Sequence, residues 1–368
     1  MENMVMDSMF WEGKRVLITG HTGFKGSWLT IWLQSKGAHI IGYSLPPPTD
    51  PSLFDVANVA HDMTSITGDI RNLENFLSVV GKYKPEIIIH MAAQSLVRFS
   101  YKDPVDTYST NVMGTVNVLE AGRHVDSLKV ILIITSDKCY ENNEWVWGYR
   151  ENDPMGGHDP YSSSKGCAEL ITSGYRKSYF SKNDKNPSHS LAVATARAGN
   201  VIGGGDWAQD RLIPDIMKAI MEDRPVIIRY PNAIRPWQHV LEPLRGYLTL
   251  AEMLWHYGEE FASAWNFGPN GVDSRPVSWV ADHLTQLWGD EARWESDSTH
   301  HPHEATYLRL DCSKAKSLLG WLPALDLGIT LQWVLEWYRA YHQRKNMRQI
   351  TEGEILRYEN LLNNKTVS

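Results

Sequence analysis

Residues 15–37 constrain the chain more than any other stretch. Arg15 to Thr19, RVLIT, is a short apolar run of strand character. GHTGFKG follows, and then Trp28, Leu29, Ile31, Trp32 and Leu33 give a helical apolar face that Gly37 stops. Gly20, Gly23 and Gly26 therefore stand in a turn from strand to helix. Glycines there let the turn pack tightly and let backbone N–H groups approach a pyrophosphate. The helix N-terminus adds a partial positive charge for that anion. Three glycines alone are weak evidence, and a tight turn without a ligand is the plain alternative. The strand before and the helix after favour a dinucleotide.

The same alternation continues. Ala38 to Tyr43 reads as a second strand and PPPTDPS as a stiff extended loop, and Thr64 to Gly68 leads to DIRNLENFLSVVGKYKP, a helix with Asp69 as its cap. Glu86 to His90, Val130 to Ile134 and the run after Ser190 that ends in glycines are the next strands. Alternating strands and helices imply right-handed crossovers and a parallel sheet covered on both faces. The expected fold class is α/β. It is a Rossmann-type doubly wound parallel sheet with a smaller C-terminal α/β substrate-binding domain. The boundary falls near residue 198, giving 1–198 for the dinucleotide and 199–368 for the substrate, with some late elements returning to the first domain. Residues 310–341 hold two helical patterns, and the polar tail after Lys345 is expected to fray or lie on the surface.

Charge and cysteines remove several function classes. The 368 residues carry a net charge of −7 with no basic block, which argues against nucleic acid and anionic membrane surfaces as partners. Cys139, Cys167 and Cys312 have no paired spacing, so neither a zinc knuckle nor a disulfide framework is indicated. Reduced thiols and a cytoplasmic location are expected. The N-terminal stretch has no signal-peptide character, and no apolar run approaches the roughly 18 residues of a membrane span. The 15 tryptophans are expected mainly in core and interface packing.

Two stretches carry chemistry. VILIITSDKCY, residues 130–140, is a buried-strand run that opens onto Ser136, Asp137 and Lys138, an acid beside an amine. DPYSSSKGCAEL places Tyr161 and Lys165 four apart, on one face of a helix. A tyrosine at its ordinary pKa of about 10 is a poor base at neutral pH. A lysine ammonium beside it would favour phenolate and suit removal of a hydroxyl proton. A surface helix pair is the plain alternative.

The G-x-x-G-x-x-G turn, the Tyr161–Lys165 pair and Ser136 ahead of them resemble the extended short-chain dehydrogenase/reductase family. The resemblance implies a nicotinamide dinucleotide held by Gly20, Gly23, Phe24, Lys25, Gly26, Ser44, Asp69, Ile70, Ala92, Ala93 and Gln94, with Tyr161 and Lys165. Near Tyr43–Ser44 neither a ribose-binding carboxylate nor an arginine pair for a 2′-phosphate is present, which tilts the expectation to NAD. Within the family, Asp137–Lys138 after Ser136 is similar to the nucleotide-sugar 4,6-dehydratases. Together with residues 42–54, RAGNVIGGGDW and RPWQHVLEPL, it resembles the branch acting on CDP-glucose, over nearly the whole chain.

That resemblance implies the catalytic set Ser136, Asp137, Lys138, Tyr161 and Lys165. Asp137 is expected as general acid and Lys138 as the base at sugar C5, or as a binding group with Asp137 in both transfers. A turn beginning at Ser136 would relieve the conflict of an acid and a base side by side. Substrate contacts are implied for Ser95, Asn200, Arg211, Arg235, His301 and Glu304, while Arg197 is expected to brace its loop. His300, His301 and His303 read better as a loop or nucleotide contact than as a metal site, so no metal is expected. A homodimer through helices near Val105–Ala121 and Tyr161–Tyr179, or a tetramer, is a family implication. So is a role in deoxysugar and lipopolysaccharide O-antigen synthesis. The alternatives are a nucleotide-sugar 4-epimerase, which needs no acid–amine pair, and a non-catalytic dinucleotide-binding regulator.

Overall fold

The sheet is built largely from short apolar runs, with the polar, half-exposed Thr64–Thr67 at one edge. In the computed structural model, residues 9–181, 191–289, 292–297 and 307–366 are described. Its first half runs β1 (Arg15–Thr19), α1 (Phe24–Ser35), β2 (His39–Ser44), α2 (Leu53–Val56), β3 (Thr64–Thr67), α3 (Leu73–Tyr83) and β4 (Ile87–His90). Next come α4 (Val97–Lys102), α5 (Pro104–Tyr108), a π-helical turn at Ser109–Met113, α6 (Gly114–His124), β5 (Val130–Ile134), α7 (Pro160–Tyr179) and β6 (Ala192–Ala198).

Residues 199 onward continue with β7 (Val201–Ile202), α8 (Leu212–Met221), β8 (Val226–Ile228), β9 (Ile234–Pro236), β10 (Gln238–His239), α9 (Leu241–Tyr257) and β11 (Ala264–Phe267). The last elements are β12 (Ser274–Pro276), α10 (Val277–Trp288), β13 (Trp294–Ser296), α11 (Ser313–Leu319), α12 (Leu327–His342) and α13 (Met347–Thr366).

Seven strands form one parallel sheet in the order β3-β2-β1-β4-β5-β6-β11. Strand residues alternate between its two faces. Val16, Ile18, Ile87, Ile89, Val130 and Leu132 face one core with Trp28, Ile31 and Trp32 of α1 and Leu244 and Leu248 of α9. Leu17, Ile88, Ile131 and Ile133 face the other, against Phe76, Val80, Val118 and Leu119 of α3 and α6. Both faces are covered, so the strands read as continuous apolar runs.

The late elements divide. β11 adds to the far edge of the sheet beside β6, and α9 packs beneath it. The small pairs β8–β13 and β9–β12, with α8 and α10, form a lobe over the C-terminal ends of the strands.

Two expectations are corrected. Asn72, not Asp69, caps α3, accepting from Asn75 N at 3.0 Å, because the Asp69 carboxylate is taken by Arg71. The tail after Lys345 is the helix α13, with Met347, Ile355 and Tyr358 buried. Their spacing makes an apolar stripe that lies against α1 and α12. Trp32 Nε1 donates to Glu359 at 2.7 Å and Tyr358 OH to the buried Glu242 at 2.8 Å, which fixes that stripe. Among the described residues no helix is long and apolar enough to cross a membrane.

Candidate active site

A parallel sheet leaves a crevice outside its strand ends where the connections diverge to opposite faces. Here the crevice encloses about 1890 Å³ and runs from the turn after β1, past the end of β5, to α8 and β8. That exceeds the roughly 300–1,000 Å³ of a single-ligand pocket, so it has room for two extended ligands end to end.

At one end, two of the three turn glycines are demanded by the fold. A Cβ on Gly20, whose φ is +76°, would meet Ala92 N at 2.7 Å, and one on Gly26 would meet Gly20 O at 2.1 Å. Gly23 differs. A Cβ there would touch only Gly20 O at 3.4 Å, so the protein has room for it, yet the position faces the crevice. A side chain would fill the space in front of α1. Gly23 is also the N-cap of α1 and offers no capping side chain, so the first-turn N–H groups are left to a ligand. This cradle fits a dinucleotide pyrophosphate.

Phe24, Lys25, Ser44, Asp69, Ile70, Ala92, Ala93 and Gln94 all line the same end. Several are committed to the protein. Ser44 Oγ bonds Thr22 Oγ1 at 2.8 Å, and Gln94 Nε2 donates to Thr107 Oγ1 at 2.9 Å. The Arg71 guanidinium holds the Asp69 carboxyl below its usual range. Beneath them His90 is buried. Thr19 Oγ1 accepts from Met91 N and Ala92 N, so its own hydrogen goes to His90 Nδ1 at 2.7 Å. Burial, and then the charge of Lys165, lower the imidazole to about 3, so it stays neutral.

Lys25 goes further in than the turn suggests. Its ammonium lies 5.6 Å from the centre of the Tyr247 ring, and burial lowers it to about 7, with Lys165 and Arg211 adding repulsion. It shares the centre of the crevice with Asp137, whose charge acts in the opposite sense.

In that centre α7 begins with Asp159 capping Ser162 N at 2.9 Å and Pro160 in the first turn. Tyr161 and Lys165 share its buried face, as the i, i+4 spacing requires. Lys165 Nζ donates to Ile134 O at 3.2 Å, the last carbonyl of β5. Burial raises the Tyr161 phenol to about 12, against a hydrogen bond with Ser136 and the charge of Arg211. Lys165 reaches back to the strand end and is itself lowered by burial to about 8, and the charge of Arg211 also acts on the phenol.

Ser136, Asp137 and Lys138 form the turn expected of them. Ser136 caps a single 3₁₀ turn, Asp137–Cys139, accepting from Lys138 N at 3.2 Å and donating to Asp137 Oδ1 at 3.0 Å. A 3₁₀ turn separates neighbouring side chains by about a third of a revolution. Asp137 is accordingly buried and Lys138 half-buried on the crevice wall, and no ion pair joins them. Asp137 Oδ2 has no hydrogen-bond partner among the described residues.

Of the expected substrate contacts, Ser95, Asn200, Arg211 and Arg235 line the crevice beyond this centre. Arg211 already bonds Asp206 Oδ2 at 2.9 Å and Ser95 Oγ at 3.0 Å. Arg197 does not reach the crevice. It is buried against Glu169 at 2.7 Å and donates to Glu151 O at 3.1 Å, which ties β6 to α7 and to the loop after β5. His301 and Glu304 lie outside the described residues, as do His300 and His303. Among the described residues no group of His, Cys, Asp and Glu could hold a metal ion. The sequence reading passed over Gly199, which lies under Asp137, and Asp215 and Ile227 at the far end.

Residues 17–253 match the family model described as GDP-mannose 4,6 dehydratase. The chain is 53% identical to the CDP-glucose 4,6-dehydratase of Salmonella typhimurium over 354 residues, which is 96% of this chain and 98% of that one. Among solved structures, the dTDP-glucose 4,6-dehydratase of Bacillus anthracis in complex with NAD superposes with a TM-score of 0.73 at 24% identity, covering 90% of this chain and 99% of that one. The epimerase Mth375 of Methanothermobacter thermautotrophicus gives 0.78 at 23% identity, covering 92% of this chain and 96% of that one.

Proposed function

We propose a function on the premise that this chain belongs to the GDP-mannose 4,6 dehydratase family, the nucleotide-sugar dehydratases. It is an NAD-dependent hydro-lyase that converts CDP-glucose to CDP-4-dehydro-6-deoxyglucose and water. The observation that carries this is the 53% identity across nearly the whole chain to a CDP-glucose 4,6-dehydratase. The Ser136–Asp137–Lys138 turn beside Tyr161 supports it chemically, because an elimination needs an acid and a base beyond the tyrosine.

Gly20, Gly23 and the N-terminus of α1 hold the pyrophosphate of NAD. NAD bound there would supply the hydride chemistry, from sugar C4 and back to C6. Tyr161 takes the proton of the C4 hydroxyl, with Ser136 in hydrogen-bond contact. The ketone at C4 acidifies C5–H, and Lys138 takes that proton. Asp137 protonates the C6 hydroxyl, which leaves as water. Lys138 gives its proton back to C5. The balance leaves Tyr161 one proton up and Asp137 one proton down. Ser136 is hydrogen-bonded to both, so the proton can pass from Tyr161 to Asp137 and ready the pair for the next turnover.

Arg211 and Arg235 hold the diphosphate, with Ser95 and Asn200 beside it. Residues 1–198 serve the dinucleotide and 199–368 the nucleotide sugar, β11 excepted. Exposed Val105, Met113, Leu170 and Tyr179 on α5 to α7 form the face of a homodimer in the cytoplasm. A Leu170→Glu chain that still elutes as a dimer would remove that face.

The reaction is tested by incubating the protein with CDP-glucose and NAD and following the 4-keto product by its absorbance in alkali, with UDP-, dTDP- and GDP-glucose in parallel. Keto product from CDP-glucose is expected. Product from another nucleotide alone discards the substrate, and a 4-epimer without keto product discards the dehydration.

A further inference from the structure

The far end of the crevice holds a carboxylate that the reaction above does not use. Leu212, Asp215 and Lys218 are spaced three apart in α8, so they share one face of the helix, and all three line the crevice. Val226, Ile227 and Ile228 of β8, and Arg229 and Tyr230 after it, line the same end. The strand is apolar, and Ile227 is 53% exposed there. It offers a flat apolar surface beside the helix.

Asp215 is half-buried against this surface, and its carboxylate makes no hydrogen bond and no ion pair with any described residue. Burial raises it to about 6, and Arg229, which would lower it, is paired with Asp210. An ionised carboxylate has only acceptor sites, and leaving them unmatched while partly desolvated costs free energy. A ligand that brings a donor to this spot removes that cost.

Position along α8 says which part of a ligand arrives. Arg211, proposed above for the diphosphate, is the N-cap of α8, and Asp215 lies one turn further, about 6 Å along the axis. The nucleoside therefore comes next, and its ring can lie against Ile227. Resting on the CDP-glucose reading, we propose that Asp215 reads the base, its carboxylate accepting a hydrogen bond from the exocyclic amino group of cytosine. Uracil and thymine carry a carbonyl oxygen at that position. Two acceptors would then face each other, which is the kind of mismatch that discriminates strongly.

The test is calorimetric binding of CDP and of UDP to the full chain and to Asp215→Asn and Asp215→Leu, with CDP-glucose turnover followed in parallel. The wild type is expected to favour CDP over UDP. Asp215→Asn should weaken CDP roughly 10- to 100-fold and hold or improve UDP, because an amide N–H can serve the uracil carbonyl. Asp215→Leu should weaken CDP and, by removing the opposing acceptor, hold or improve UDP. A CDP-to-UDP ratio that is the same in wild type and in both folded variants overturns the proposal, as does a wild type with no preference. Failure of the underlying reading is distinct from this. It would be a wild type that prefers CDP, and loses the preference in both variants, yet makes no keto product.

Discussion

Gly199 lies directly under the carboxylate of Asp137, so closely that a Cβ on Gly199 would stand 1.8 Å from Oδ2. The two residues are 62 apart in sequence and meet because β5 and β6 are neighbours in the sheet. A methyl group at 199 must push the carboxylate away from the turn that aims it. Gly199→Ala should therefore lower kcat for keto-product formation by about 100-fold or more. Cofactor reduction in a single turnover should persist, because the added methyl meets Asp137 first. Steady-state rates beside a single-turnover absorbance trace check this, and an unimpaired kcat would sink the role of Asp137 as acid.

Lys138 stands on the crevice wall beside Asp137 and forms no ion pair with it. If it is the C5 base, Lys138→Ala should still reduce the cofactor but eliminate water some 10²–10⁴-fold more slowly. In deuterium oxide the wild-type product should carry deuterium at C5, and the variant should incorporate it at the slowed rate. Full dehydration by Lys138→Ala would reduce the lysine to a binding group.

Sequence reasoning reached the parts of this site that are local. Arg15–Thr19 and Val130–Ile134 were legible to the residue, because unbroken apolar runs ended in glycine or in Thr-Ser. The Tyr161–Lys165 face was legible because it follows from spacing along one segment, whereas the Ser136 turn was suggested only by the conflict of an acid beside an amine. What depends on distant pairing was not. Asp69 and Asn72 are equally good caps on paper, and the choice fell to Asn72 because Arg71 claims Asp69. Neither the fit of Asp137 over Gly199 nor the reach of Lys25 to Tyr247 follows from any local pattern.

Arg197 stands in a motif that carries the resemblance but has a structural part. Both it and Glu169 are buried, and Glu169 also accepts from Thr195 at 2.7 Å. Burial alone would push the Glu169 carboxyl up, and Arg197, together with the hydroxyls of Thr135 and Thr195, more than reverses this. Arg197→Met should cost about 3–5 kcal/mol of stability by leaving a buried carboxylate unpaired. Arg197→Met combined with Glu169→Leu should recover part of that loss. Urea midpoints of the three chains measure it. A changed KM for CDP-glucose with unchanged stability would move Arg197 into the substrate site.

The buried imidazoles set the acid limit of the fold. Burial lowers His21 to about 4 and His90 to about 3. Both folded values lie below the ordinary 6.5, so the unfolded chain binds more protons as pH falls. The stability they contribute is full above pH 6.5 and is lost progressively as pH drops toward the folded values. Each group loses close to one pKa unit of linkage between pH 7.5 and 5.5, together about 3 kcal/mol. Unfolding free energy from urea titrations should fall by that order across this interval. His90→Gln should lower stability at pH 7.5, where its hydrogen bonds are lost, and roughly halve the slope with pH. A slope that is flat in the wild type, or unchanged in the variant, would mean that these two rings are not the groups that take up the protons.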